Sequence, residues 1–194
     1  MKKSLLALIL AVALVTPVFA QKGDMSVDAK LGFGVSNNIK IYEYNDDVSD
    51  NLKLKMPISL GAEFFYGIFD NLSVGAGINY IFDTQVKADI GNKWKVGTTN
   101  IYLAVKPEAK IDSEIFSSMY LIGQLGLSMV RASTFDEDID PGIYLGLGIG
   151  TVIKDFIIVE LVLSSSNGSV SYPVQTIDAQ YTATTLNIGY KFSL

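Results

Sequence analysis

From Met25 to its last residue the chain sets apolar residues against small or polar ones with a period of two, and that alternation is its most restrictive feature. Eight stretches of 11–15 residues carry it: 25–36, 53–66, 71–83, 93–106, 117–131, 142–153, 156–166 and 181–194. In the first, Val27, Ala29, Leu31, Phe33 and Val35 share one face, opposite Ser26, Asp28, Lys30, Gly32 and Gly34. In the second, the apolar face reads Leu54, Met56, Ile58, Leu60, Ala62, Phe64 and Tyr66. Helical spacing is missing, and beyond residue 21 no apolar run approaches the roughly 20 residues of a membrane-spanning helix. The fourth stretch changes phase: Trp94 and Val96 fall on one side, Ile101, Leu103 and Val105 on the other. A β-bulge near residues 98–100 would reconcile the two halves.

The first 20 residues read as an export signal. Lys2 and Lys3 precede an apolar run from Leu5 to Val15, and Val18-Phe19-Ala20 supplies the small residues that a signal peptidase reads, with cleavage after Ala20. Residues 21–194 then form one domain. Losing two of 15 basic residues leaves 13 against 20 acidic ones. That acidic balance offers no electrostatic footprint for nucleic acid. The links between stretches alternate. Residues 67–70 and 154–155 are short, 107–116 is moderate, and 37–52, 84–92, 132–141 and 167–180 are mostly longer and rich in Asp, Asn, Ser and Thr. An even number of strands, with short turns at one end and long loops at the other, describes an all-β, eight-stranded antiparallel up-and-down transmembrane β-barrel. Phe64, Tyr66, Phe69, Phe116, Phe156, Tyr190 and Phe192 gather at the turn end as an interfacial girdle, with Tyr80, Phe82 and Trp94 at the other. Alternation by itself does not say which face points outward, so a soluble exported barrel with an apolar interior, in the manner of lipocalins, stays open.

The chain terminates in Asn187-Ile-Gly189-Tyr190-Lys-Phe192-Ser-Leu194. Gly189, Tyr190, Phe192 and Leu194 resemble the C-terminal β-signal of outer-membrane barrels: a glycine, two variable residues, then two hydrophobic residues one apart. With the eight stretches, the chain resembles the small eight-stranded outer-membrane barrels of the OmpA-membrane-domain and OmpX type. The resemblance implies a bacterial outer membrane as location, its lipid as surroundings, and the barrel-assembly machinery as a transient partner. It speaks to architecture far more than to activity.

With the apolar face toward lipid, the other face lines a lumen. Glycines 32, 34, 61, 75, 77, 146, 148 and 150 lie there. In a narrow barrel small residues make room for large neighbours; they could also leave a water-filled path. Six charges share this face near the turn end: Asp28, Lys30, Glu63, Lys106, Glu160 and Lys191. Unpaired, each would cost several kcal/mol in a tight lumen, so mutual ion pairs are expected, either as a plug or as a gate that exchanges partners.

Catalysis is not expected. The chain has no histidine, the usual base near neutral pH, and the enzymes of the resembled group use one. Glu63 with Glu160 is the conceivable carboxylate pair, with lysines close enough to occupy both. No cysteine provides a thiolate metal site. Asp136, Asp138 and Asp140 begin like a Ca²⁺ loop, yet Pro141 stands where its glycine belongs and Leu147 where its final glutamate belongs. No cofactor is therefore expected. Three functions remain: a structural or surface-interaction barrel whose loops meet a ligand, a channel for a small solute, and, on the soluble alternative, a lipocalin-like barrel that binds a small apolar ligand.

Overall fold

The computed structural model describes residues 22–43, 46–86, 95–132, 140–171 and 176–194. The proposed export signal with Ala20, Trp94, and the acidic run 136–139 lie outside the described residues. Among the described residues there are nine strands: β1 (Met25–Glu43), β2 (Asp46–Lys53), β3 (Ile58–Phe69), β4 (Leu72–Gln85), β5 (Lys95–Lys110), β6 (Phe116–Ala132), β7 (Asp140–Ile153), β8 (Ile157–Ser171) and β9 (Thr176–Ser193). All neighbours are antiparallel, and β1 pairs with β9, closing the sheet. The barrel nonetheless has eight positions around its wall. β2 and β3 lie end to end along one edge of β1: Phe33 pairs with Ile58 and, in unbroken register, Asn38 pairs with Lys53.

The interruption between β2 and β3 has a local cause. Pro57 has no N–H for the ladder. Its carbonyl still accepts from Gly34 N–H at 2.8 Å, and Leu54 N–H donates to Asn37 O at 3.0 Å. Here two consecutive residues, Lys55 and Met56, face outward, opposite another such pair, Val35 and Ser36. The next strand, β4, repeats the feature at Phe82 and Asp83, where its pairing with β5 shifts register. Bulges on neighbouring strands thus reverse the inside–outside phase together. Above them Asn37, Ile39, Leu54, Thr84 and Val86 face inward.

Two expectations are corrected by this seam. Leu54 is a lumen residue, not part of the lipid face, because the double bulge separates it in phase from Ile58. The phase change seen around Trp94 and Val96 is not a bulge at 98–100. β5 holds one phase throughout, with Val96, Thr98, Asn100, Tyr102, Ala104 and Lys106 all buried inward, and the bulge belongs to β4. Val96 is apolar on an inner face because the upper lumen is itself apolar, lined by Ile39, Leu54, Ile81, Val86, Val96, Val130 and Tyr181.

The β4 bulge frees carbonyls from the ladder, and side chains take them up. Arg131 of β6 reaches over Gly97 of β5, donates to Ile81 O at 3.1 Å and to Thr99 Oγ1 at 2.6 Å, and pairs with Asp83 at 3.5 Å. Its guanidinium lies 4.5 Å from the Tyr80 ring centre. Thr84 Oγ1 donates to Phe82 O at 3.0 Å. A side chain at Gly97 would occupy the path of Arg131.

The outer wall is the apolar face. Leu60, Leu103, Leu125, Leu127, Leu147 and Leu163 are all more than half exposed, Leu103 at 71%. A soluble barrel with an apolar interior requires the reverse arrangement. Outward residues turn polar beyond Leu163 and Leu186, at Ser165 and Thr184, marking the upper limit of the belt. At the turn end Phe64, Tyr66, Phe69, Phe116, Phe156, Tyr190 and Phe192 are exposed, and the Phe156, Tyr190 and Phe192 rings stack in series at 5.3 and 4.5 Å. Such rings are favoured where lipid meets water.

Candidate functional site in the barrel lumen

Because side chains on a strand alternate, every second residue of each strand enters the lumen, and shear decides which of them meet. Five of the six charges named from the sequence are almost wholly buried, in two groups. Lys30 of β1 places Nζ 2.5 Å from Glu63 Oε2 of β3 and 2.8 Å from Glu160 Oε2 of β8. Lys106 of β5 pairs with Asp28 of β1 at 3.1 Å, its ammonium 3.8 Å from the Phe65 ring centre. Lys191 of β9 stands apart from these five. It is partly exposed at the turn end and pairs with Glu108, 3.7 Å away.

Neutral donors take up further oxygens of Glu63, Glu160 and Glu108, while the buried Asp28 Oδ1 has no hydrogen-bond partner among the described residues. Tyr102 OH and Gln124 Nε2 donate to Glu63 Oε1 at 2.8 and 2.9 Å. Tyr144 OH donates to Gln124 Oε1 at 2.7 Å, fixing that amide. Tyr120 OH donates to Glu160 Oε2, and Asn187 Nδ2 to Glu160 Oε1, both at 3.0 Å. Ser118 Oγ donates to Glu108 Oε1 at 2.5 Å. One lysine between two carboxylates leaves the central group an excess of acid. The four neutral donors spread that charge without bringing in a second cation.

None of Tyr102, Tyr120, Tyr144, Gln124, Asn187 or Glu108 was singled out from the sequence. A signal was available. Tyr102 and Glu108 share the phase of Lys106, Tyr120 shares that of Gln124, and Tyr144 that of the glycines after it. Large inward rings fit only beside missing side chains. A Cβ at Gly77 would lie 2.8 Å from the Tyr102 ring and from Glu63 Cγ, and one at Gly150 would strike the Tyr120 ring.

The lumen therefore has four levels. At the turn end a vestibule of about 190 Å³ is lined by Ser26, Ser73, Lys106, Glu108, Lys110 and Lys191. The Lys30 group spans the middle and leaves a cavity of about 20 Å³, bordered by Asn79, Gln124, Thr185 and Asn187, room for about one water. Above come Thr98, Asn100, Ser128 and Ser166, all almost fully buried, and then the apolar storey. Glu63 and Glu160 both face this interior, with their oxygens committed to Lys30 and the neutral donors.

Of the C-terminal residues, Gly189 pairs with Lys30, Tyr190 with Ala29 and Phe192 with Val27 on β1, and Leu194 N–H donates to Met25 O at 3.0 Å. The last residues thus complete the closing seam, and Tyr190, Phe192 and Leu194 present their side chains outward.

No protein-family model and no curated protein sequence matches the chain. Solved structures do. The solid-state NMR structure of outer membrane protein AlkL in DMPC bilayers matches with a TM-score of 0.56 at 12% identity, covering 93% of this chain and 95% of that one. Neisserial surface protein A matches with a TM-score of 0.50 at 12% identity, covering 87% and 97%. OprG from Pseudomonas aeruginosa gives 0.49 at 14% identity, covering 90% and 98%. At these identities the likeness is one of fold.

Proposed function

With the fold of a small eight-stranded outer-membrane β-barrel as premise, we propose that this chain is a non-enzymatic integral barrel of the bacterial outer membrane, with a sealed lumen and a structural or surface-interaction role. One observation carries the reading: Lys30 is clamped between Glu63 and Glu160 across the middle of the lumen, with space left for about one water. The apolar storey above would be a second barrier to ions. A non-enzymatic role is supported by the lack of histidine and by carboxylates already committed to ion pairs and hydrogen bonds. Loops at the end opposite the turns would meet any surface ligand. The C-terminal motif supports transient recognition by the barrel-assembly machinery.

A second reading, a thin gated path for a small solute, is favoured by the turn-end vestibule and by the polar ring of Thr98, Asn100, Ser128 and Ser166. Single-channel recording of the refolded chain in a planar bilayer separates the two. Sealed lumens give no steady conductance. A steady conductance that shifts in Glu160→Gln would overturn the sealed reading and assign the Lys30 group as the gate.

A further inference from the structure

In the middle of the lumen a charge in excess and a cavity lie side by side. Glu63 and Glu160 share one cation, Lys30, and both carboxylates are almost wholly buried. The ammonium of Lys106 is engaged with Asp28. Among the described residues the Lys30 group thus keeps one negative charge more than it has cations. The tyrosine and amide donors spread that charge without cancelling it, and a buried charge without a counterion is strongly disfavoured.

The cavity exists because of Gly61. Lys30, Gly61 and Asn79 stand in one row across β1, β3 and β4. At Gly77 an added Cβ would come within 2.8 Å of the Tyr102 ring, and at Gly150 it would strike the Tyr120 ring. At Gly61 it would meet nothing closer than 3.7 Å. The missing side chain there makes room for no neighbour; it borders the cavity of about 20 Å³. Oxygens around this space are short of donors. Among the described residues Glu160 Oε1 accepts from Asn187 alone, and Asn187 spends its amide N–H on that bond, which leaves its oxygen. Asn79 and the nine-tenths buried Thr185 also line the cavity, and their side chains make no hydrogen bond to another described residue.

A carboxylate among neutral oxygens suits a hard cation. The volume admits one particle about the size of water, and dehydrated sodium and potassium ions are no larger than that. Magnesium keeps several waters, for which the cavity has no room, and a divalent ion would overshoot the single charge in excess. We propose that the cavity beside Gly61 binds one dehydrated alkali cation, with Glu160 Oε1 as its charged ligand and Asn79, Thr185 and Asn187 as its neutral ones. The site rests on the barrel fold and is independent of whether the lumen conducts.

Urea unfolding of the refolded chain in phosphatidylcholine vesicles tests it, in the chloride of sodium, potassium or N-methylglucamine at one ionic strength. The organic cation is too large for the cavity. Sodium or potassium is expected to lower the unfolding constant about fivefold, the effect of a free cation at about four times its Kd. Gly61→Ala keeps every charge and puts a methyl group into the cavity, while Glu160→Gln keeps the shape and removes the excess charge. Either should erase the difference between salts, and Asp112→Asn, in the exposed β5–β6 turn, should retain it. Heat-dependent gel mobility verifies that each variant is folded, and Glu160→Gln decides alone if Gly61→Ala does not fold. Equal stability of the parent in all three salts, or a difference that survives in folded Glu160→Gln, would overturn the site. A parent indifferent to the cation but stabilised on acidification would also overturn it, assigning the excess charge to a bound proton instead.

Discussion

Lys30 is the residue on which the lumen's electrostatics turn, and its removal has a calculable consequence. Its ammonium lies 2.5 and 2.8 Å from two carboxylates on opposite sides, so the two acids cannot be more than about 5 Å apart through it. At an effective dielectric constant near 20, two negative charges at that distance repel by about 3 kcal/mol. Each also loses the partner that offsets its desolvation, and breaking a buried pair from one side costs about 3–5 kcal/mol. Lys30→Met should therefore cost about 3–5 kcal/mol, a large part of an ordinary domain's stability of about 5–15 kcal/mol. The triple variant Lys30→Met, Glu63→Gln, Glu160→Gln should recover most of that loss, since a neutral set of similar shape needs no compensation. Glu160→Gln alone should change stability by no more than about 1 kcal/mol, because it leaves Lys30 with Glu63 and keeps an acceptor for Tyr120 or Asn187. Urea unfolding in phospholipid vesicles, followed by the fluorescence of the single tryptophan, measures all three. If Lys30→Met unfolds at the parent's urea midpoint, or if the triple variant is no more stable than the single one, the ion-paired account of the lumen is wrong.

Three further outcomes are expected. Leu103, 71% exposed in the middle of the belt, should tolerate arginine poorly, with a loss of about 2–4 kcal/mol for folding into bilayers; a neutral result there would contradict its contact with lipid. Gly97→Val should displace Arg131 from Ile81 O and cost about 1–3 kcal/mol, and in a double-mutant cycle Arg131→Gln should add little to it; full additivity would show that Arg131 does not bridge the β4 bulge. Lys154 and Asp155 both have positive φ, 49° and 68°, at the centre of the turn closed by Phe156 N–H on Ile153 O between β7 and β8, so Lys154→Asn with Asp155→Gly should raise the urea midpoint by the equivalent of about 1 kcal/mol, while an unchanged midpoint would mean that the turn holds no strain.

Much of the architecture was readable from the chain alone, for a reason rooted in the solvent. Lipid tolerates almost no polar side chain on a barrel's outside, so Leu60, Leu103, Leu147, Leu163 and Ile188 leave an unmistakable period-two trace, and the eight spans follow from it. The wall closes through the very C-terminal residues whose alternation runs to Leu194, because an open sheet edge in lipid leaves backbone groups unpaired. The trace failed where strands departed from regular pleating together. Nothing local in Leu54 distinguishes an inward leucine from an outward one. Its direction depends on paired bulges at Val35–Ser36 and Lys55–Met56, and Val96 was misread because the bulge that explains it lies on the neighbouring strand.

The inward charges were visible one at a time, but their partners were not. Lys30 meets Glu63 and Glu160, which are 33 and 130 residues away, and Lys191 meets Glu108 rather than another member of the original six. Phase along a strand is a property of that strand's own sequence and so can be read directly. Partnership across the lumen is set by the stagger accumulated around a closed ring of eight strands, to which every register and every bulge contributes. The sequence by itself determined which side chains face lipid and which turn inward along the regular parts of the wall. Only the closed barrel decided which of the inward ones touch.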